Sequence, residues 1–254
     1  MKKLIWPIHL ILLKKVDSTN QYAKKYFSIR KKNWTIIWTI NQTNGNGTEN
    51  NIWYTEKYKN LTFSIILTPI SPISIEKKYI INLITSNAIH KILCNHYQHY
   101  YDGLFSIKWP NDIILNNKKI GGILIENNIF LNKIYYFIIG IGLNVNQTKF
   151  DEKWNASSLK KIFQINFQLD YLLYKIVSSI QKEYFLYTKI GEKIIREYYI
   201  HHLYLKDVNS LFYFQKRKKI FKGIIRSITD KGFLVIEHNS KLYSFFNKEI
   251  QIIR

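Results

Sequence analysis

Two apolar runs separated by an asparagine pair constrain the middle of this chain. Ile113, Ile114 and Leu115 lead into Asn116-Asn117, and Ile120 to Ile125 returns from it. Apolar residues flanking two residues that tolerate a left-handed turn read as a β-hairpin. Phe105 and Ile107 extend the alternation upstream. The same hairpin carries Lys108-Trp109-Pro110-Asn111-Asp112 at its mouth, and Lys119 and Gly121-Gly122 on its return strand. Paired glycines weaken a strand unless another backbone or a ligand approaches closely. Such a cluster is either a decorated surface or a site, and composition alone leaves the two equal.

Upstream, MKKLIWPIHLILL has the lysines and apolar stretch of a leader peptide, but Pro7 and His9 break it and no small-residue cleavage site follows. It is expected to be a first strand region. Val16-Asp17-Ser18-Thr19-Asn20-Gln21 then has a capping box in Ser18 and Gln21, with Tyr22 to Phe27 as the helix. Thr19 and Asn20 add polar groups beyond what capping needs, at a helix end whose N–H groups suit an anion or carboxylate. Trp34 to Ile40 reads as a strand, and Gln42 to Asn51 as a polar loop holding Gly45-Asn46-Gly47. Gly-x-Gly can cradle a phosphate, although an ordinary mobile loop has the same composition. Leu61 to Leu67 is apolar at its odd positions, as a half-buried strand would be.

After Pro69 and Pro72, Ser74 is the expected cap of a helix with stripe Ile80, Leu83, Ile84, Ala88 and Ile92. His96 and His99 follow at i,i+3 without a nearby acidic or cysteine partner, which predicts no metal site. Ile134 to Ile141 is a further strand, ending in Gly140-Ile141-Gly142-Leu143-Asn144-Val145-Asn146. Glycines and asparagines at a strand end can admit a ligand ring and offer it amides. Leu169, Leu172, Leu173, Ile176, Val177 and Ile180 give the clearest helical period, and 192–203 a second helix. Strands are then expected at 211–214, 220–228, 232–237 and 242–246, a small β-barrel forming a second domain. The expected domains are 1–205 and 206–254.

The net charge of +21 invites a nucleic-acid reading, but the basic residues are scattered among Ile, Asn and Tyr and form no focused stripe. One cysteine, Cys94, excludes an intrachain disulfide and fits a reducing compartment; its neighbours Ile92 and Leu93 predict an inert buried thiol. No apolar run approaches the roughly 18 residues that span a bilayer.

Taken in order, these motifs resemble the biotin–protein ligases. Ser18-Thr19-Asn20-Gln21 is similar to that family's entry motif, and Gln42-Thr43 with Gly45-Asn46-Gly47 and Trp53 to its glycine loop and tryptophan. Lys108 to Asp112 resembles its most specific motif, with Lys119-Ile120-Gly121-Gly122-Ile123 as the second half and Gly140 to Asn146 as the next segment. The resemblance implies an α+β fold: a mixed β-sheet flanked by helices, followed by an SH3-like β domain. It implies adenylation of biotin by ATP with Mg²⁺, then transfer to a lysine of a biotin carboxyl carrier protein domain. Ser18, Thr19, Asn20, Gln42, Gly45, Gly47, Trp53, Lys119 and Gly122 would form the biotin site. Asn46, Gly47, Thr48, Lys108, Lys119, Asn144 and Asn146 would form the adenylate site. Lys119, Asp112 and Asn111 would be the catalytic group. No metal ligands are implied, since Mg²⁺ would travel with the ATP phosphates. A cytoplasmic monomer or weak homodimer without specific DNA binding or membrane attachment is expected.

One stretch departs from the family pattern. The family usually has arginine at the position of Asn46 and often at Thr48, and glycine at Asn50, and this chain also has Glu49 there. The departure keeps open a non-catalytic biotin-binding relic, a slow ligase, one that holds its adenylate loosely, and one in which Lys57 or Lys59 stands in for the missing cations. A lipoate or octanoate ligase or transferase of the same fold is the nearest enzymatic rival.

Overall fold

The computed structural model describes residues 4–48, 51–97 and 105–253. Glu49, Asn50 and His99 lie outside the described residues, as does the side chain of His96. The chain runs β1 (His9–Leu13), α1 (Thr19–Arg30), β2 (Thr35–Thr39), β3 (Gly45–Asn46), β4 (Ile52–Trp53), β5 (Leu61–Leu67), β6 (Ile73–Ser74), α2 (Ile80–Tyr97), β7 (Phe105–Lys108), β8 (Asp112–Leu115), β9 (Lys118–Phe130) and β10 (Lys133–Leu143). It continues with α3 (Leu159–Phe163), α4 (Leu169–Ile190), α5 (Lys193–His201), β11 (Asn209–Phe214), β12 (Lys219–Ile228), β13 (Leu234–His238), β14 (Lys241–Phe245) and β15 (Ile250–Ile253).

The main sheet has eight strands, ordered β1-β2-β5-β10-β9-β8-β7 with β6 against the far end of β10. Only the β1–β2 pair is parallel, as expected where α1 forms the crossover between them. The expected mixed sheet flanked by helices is therefore present. The Asn116-Asn117 and Leu131-Asn132 turns both have two residues at positive φ. This is the type I′ geometry that matches strand twist in two-residue hairpins.

β5 is buried along its whole length because helices cover both faces of the sheet. Leu61, Phe63, Ile65 and Leu67 point into the large core with α2, α4 and α5. Ile66 points the other way, joining Ile37, Ile138 and Ala23 beneath α1. The polar members Thr62 and Ser64 share that second face, so the apolar alternation read in the sequence is real while its "outer" face is also buried.

Several boundaries differ from the sequence reading. Ser74 starts a short 3₁₀ turn, Ile75–Lys77, and makes no side-chain cap to it or to α2. β9 continues past Ile125 through Glu126-Asn127-Asn128 because Glu126 is held by Asn20 and Lys24. The C-terminal sheet has five antiparallel strands, ordered β14-β13-β12-β11-β15, and β15 was not anticipated. The sheet is consistent with an SH3-like unit, although among the described residues its edge strands β14 and β15 do not pair to close a barrel.

Between α2 and α5 the buried His90 centres a polar cluster whose other members, Tyr198, His202 and Cys94, are half-buried. His90 bonds Tyr198 Oη at 2.9 Å through Nδ1 and the Phe105 carbonyl at 3.2 Å through Nε2. Burial, aided by the nearby His202 and Lys91, lowers its pKa from 6.5 to about 4. Cys94 lies 3.6 Å from the ring, and burial pushes its thiol up to about 11, in keeping with an inert cysteine. The folded state thus keeps His90 neutral while an unfolded chain protonates it below about pH 6.5. Stability falls as pH drops through that window, by about 2–3 kcal/mol between about pH 7 and pH 4.5. Urea midpoints across this range check the slope, and His90→Gln should flatten it except for the contribution of His202, whose pKa burial also lowers.

Candidate functional site

The site follows from one row of residues across the sheet. Thr39 pairs with Thr62, Thr62 with Gly142, Gly142 with Gly122, and Gly122 with Asp112. Where neighbouring rows carry isoleucine and leucine, this row carries hydroxyls, glycines and a carboxylate. Two residues along, on the same face, Ser64 pairs with Gly140. The result is a floor that cannot be packed by its own side chains, leaving a cleft on the α1 face.

Side chains from elsewhere in the sequence settle onto this floor. A Cβ on Gly142 would lie 2.3 Å from the Trp53 indole, and one on Gly140 would lie 2.4 Å from Asn20 Oδ1. The ring close to these glycines is thus the protein's own tryptophan, delivered by the β3–β4 ribbon. A Cβ on Gly122 would meet Lys119 Nζ and Asp112 Oδ1 at 3.5 Å. Lys119 Nζ and Asp112 Oδ1 form an ion pair at 2.6 Å, with Nζ 5.9 Å from the Trp53 ring centroid.

The N-terminus of α1 closes the opposite end. Ser18 is its N-cap, accepting from Gln21 N–H at 3.5 Å, while Asp17 Oδ1 takes the Ser18 N–H at 2.7 Å. The Thr19 N–H donates to Gln42 Oε1 at 2.9 Å, so this helix-end donor is held by protein. Ser64 Oγ reaches Thr19 Oγ1 at 2.8 Å and Asn20 Oδ1 at 2.6 Å, and Asn20 Nδ2 continues to Glu126 at 2.9 Å. These bonds fix Thr19, Asn20 and Gln42 in single orientations. Gly45 lies beneath Gln42, where a Cβ would meet its Nε2 at 2.4 Å.

The cleft brings together Ser18, Thr19, Asn20, Gln42, Asn46, Gly47, Thr48, Trp53, Asn111, Asp112, Lys119 and Gly122. It opens past Asp112 and Lys119 into a wider groove with Lys108, Asn144, Tyr54, Phe150 and Trp154. Asn111 donates through Nδ2 to the Ile123 carbonyl at 2.5 Å, tying the hairpin mouth to β9. Asn146 lines neither part of the cleft; its amide clamps the backbone of Phe167 through both Nδ2 and Oδ1. Asn144 is buried and donates to the Ser157 carbonyl at 3.1 Å, so only its edge meets the groove. Lys57 and Lys59 are exposed and line neither part.

Sequence reasoning missed Ser64 and Thr62. Both looked like the outward half of an alternating strand, and only the pairing to Gly140 and Gly142 identifies their face as a cleft floor. Thr62 Oγ1 and Trp53 Nε1 are buried without a hydrogen-bond partner. Unpaired buried polar atoms are costly, and in a cleft they mark places a ligand can satisfy.

The chain matches the Biotin/lipoate A/B protein ligase family over residues 12–144. It is 26% identical over 248 residues to the bifunctional ligase/repressor BirA of Bacillus subtilis, covering 96% of this chain and 74% of that protein. Among solved structures it is similar to the biotin protein ligase of Aquifex aeolicus in complex with biotin and ATP, with TM-score 0.78, 23% identity, and coverage of 97% of this chain and 99% of that one. The biotin acetyl coenzyme A carboxylase synthetase of Helicobacter pylori aligns with TM-score 0.59 and 19% identity over 94% of this chain. The family match spans β2, β5 and the β7–β10 strands that build the cleft floor, together with α1 at its end, and on that basis this chain belongs to the biotin/lipoate A/B protein ligase family.

Proposed function

We propose that the protein activates biotin with ATP and transfers it to a lysine of a biotin carboxyl carrier domain. The family includes both biotin and lipoate enzymes, so membership alone does not choose the acid. The observation that carries the choice is the buried, unpartnered Thr62 Oγ1 on the cleft floor, near the fixed hydroxyls and amides of Thr19, Asn20 and Gln42. A ureido head offers donors and acceptors to such groups. A dithiolane head would leave the Thr62 hydroxyl unpaired, and sites built to hydrogen-bond a substrate reject analogues that cannot. The similar solved structures that are named for biotin support the same reading.

In this reading the carboxylate end of biotin lies toward Lys119. The ammonium neutralises negative charge as carboxylate and α-phosphate approach and as pyrophosphate departs. Asp112, already bonded to Lys119, fixes its direction and would steer the incoming carrier lysine. Lys108, Tyr54 and Trp154 line the wider groove, where the nucleotide would extend. Among the described residues Asp112 is the one carboxylate lining either part of the cleft, and it is paired with Lys119; no group of three acidic, histidine or cysteine residues fit to hold a metal occurs among them. In this reading Mg²⁺ would arrive with the ATP phosphates. Residues 1–205 carry this chemistry, with 206–254 as a supporting unit.

The test is incubation with ATP, Mg²⁺, biotin and an apo carrier domain, following mass gain on the carrier, with lipoate run in parallel. Gain with biotin supports the reading; gain with lipoate alone replaces it with the rival, and no gain at high enzyme concentration supports a binding relic. The floor hydroxyl can be tested directly. Thr62→Val removes one hydroxyl at nearly constant volume, so biotin affinity should fall by about 10-fold, one hydrogen bond's worth. The unliganded protein should become about 1 kcal/mol more stable, because a buried orphan is removed. Titration calorimetry and urea unfolding read the two opposite signs.

A further inference from the structure

The residue before Asn111-Asp112 is held by an arrangement that the binding reading does not use. The Pro110 carbonyl lies 3.0 Å from Tyr79 Oη, 2.9 Å from Tyr199 Oη and 2.5 Å from Asn82 Nδ2. The two phenols also lie 3.0 Å from each other. Two hydroxyls carry two protons, so only two of the three O–H contacts among these oxygens are filled at once. Asn82 guarantees the carbonyl one donor, and whichever phenol points inward supplies another. Burial raises the pKa of both phenols, so both remain donors at neutral pH.

The preceding residue is fixed from the C-terminal sheet. Trp109 Nε1 donates to the Gly232 carbonyl at 2.9 Å. Gly232 has φ +84°, and a Cβ there would lie 2.2 Å from Tyr79 Cδ1. The turn is closed by Gly232 N–H to the Thr229 carbonyl at 2.9 Å. Arg196 of α5 holds it from outside, donating to the Thr229 carbonyl at 2.7 Å and the Asp230 carbonyl at 3.1 Å. Tyr79 and Gly232 are thus in contact with each other and with the two residues that precede Asn111-Asp112.

We propose that Tyr79, Asn82 and Tyr199, backed by the Thr229–Gly232 turn, are positioning residues that aim Asn111-Asp112 at Lys119. The C-terminal sheet then supports catalysis through that turn, without touching substrate. The inference rests on the ligase reading, because it assigns the Asp112–Lys119 pair to the reacting centre. A displacement of about 1 Å at such a centre can cost on the order of 100-fold in rate. Removing one hydroxyl leaves the ring packing intact, so the loss should appear in turnover ahead of stability.

The experiment compares Tyr79→Phe, Tyr199→Phe and the double variant with Tyr184→Phe. Tyr184 is a buried phenol that accepts from the Ile70 N–H, away from the cleft. Biotin-dependent ATP–pyrophosphate exchange gives kcat and KM, and hydrogen–deuterium exchange reads the amides of 111–113. The expected result for the double variant is a fall in kcat of about 10-fold or more, with KM for biotin and ATP within about 2-fold. Amide exchange should quicken at 111–113 and stay unchanged in β5, and Tyr184→Phe should change neither readout. Unchanged kcat, or a loss matching that of Tyr184→Phe, overturns the proposal, as does unaltered amide exchange at 111–113. Wild-type protein with no exchange activity would overturn the ligase reading, while the deuterium measurement would still decide the clamp.

Discussion

Lys119→Ala is expected to lower kcat/KM for biotin adenylation by about 100- to 1,000-fold, the range for losing a preorganised charge stabiliser. The fold should survive. The Lys119 N–H donates to the Asn155 carbonyl and its carbonyl accepts from the Ser157 N–H, so backbone pairing places the strand without the side chain. The side chain is itself 39% exposed, so its ion pair contributes little to stability. What the variant leaves is harmful: Asp112 becomes an uncompensated anion facing an incoming carboxylate and triphosphate. For that reason Lys119→Ala with Asp112→Asn should recover part of the rate, and the two substitutions should be non-additive. Lys119→Arg should restore charge but little rate, because a planar fork replaces a point charge beside Trp53 and Gly122. Single-turnover adenylate formation, with thermal unfolding as control, checks all four proteins.

The hairpin around Asn116-Asn117 was legible because its turn chemistry and apolar runs are local. So were the α4 period and the Ser18 cap. The cleft floor was not, because it exists only across strands. Thr39, Thr62, Gly142, Gly122 and Asp112 come from five strands, and none of those strands taken alone distinguishes a solvent face from a site. Glycine at 140 and 142 suggested room for a ligand, whereas the structure gives that room to Asn20 and Trp53. Asn146 matched a motif but is spent on holding Phe167, a role invisible without the fold. β15 escaped notice because Ile250–Ile253 is a strand only through its pairing with β11.

Asn46→Arg should slow release of the adenylate, by about 10-fold. Asn46 sits in β3, paired to Ile52 of β4, and the ribbon presents Asn46, Gly47 and Thr48 to the cleft. The Gly47 N–H is bonded to the Asn51 carbonyl at 2.6 Å, so the backbone already has the shape of a closed turn. Among the described residues of this ribbon the cleft-lining side chains are an amide, a hydroxyl and the Trp53 indole, none of them charged, and the exposed Lys57 and Lys59 do not line the cleft. A charge-assisted hydrogen bond to phosphate is worth about 1.5–3 kcal/mol, or roughly 10- to 150-fold in affinity. Ordering a long side chain offsets some of that, by up to about 2 kcal/mol, which favours the lower end. Asn46→Lys should gain less, since one ammonium cannot bond a phosphate bidentately. The readout is the rate at which preformed adenylate leaves the protein in a chase with excess unlabelled biotin. An unchanged rate in Asn46→Arg would mean that the ribbon does not cover the phosphate. The weak point of the site would then have to be sought at Lys108 and the groove beyond it.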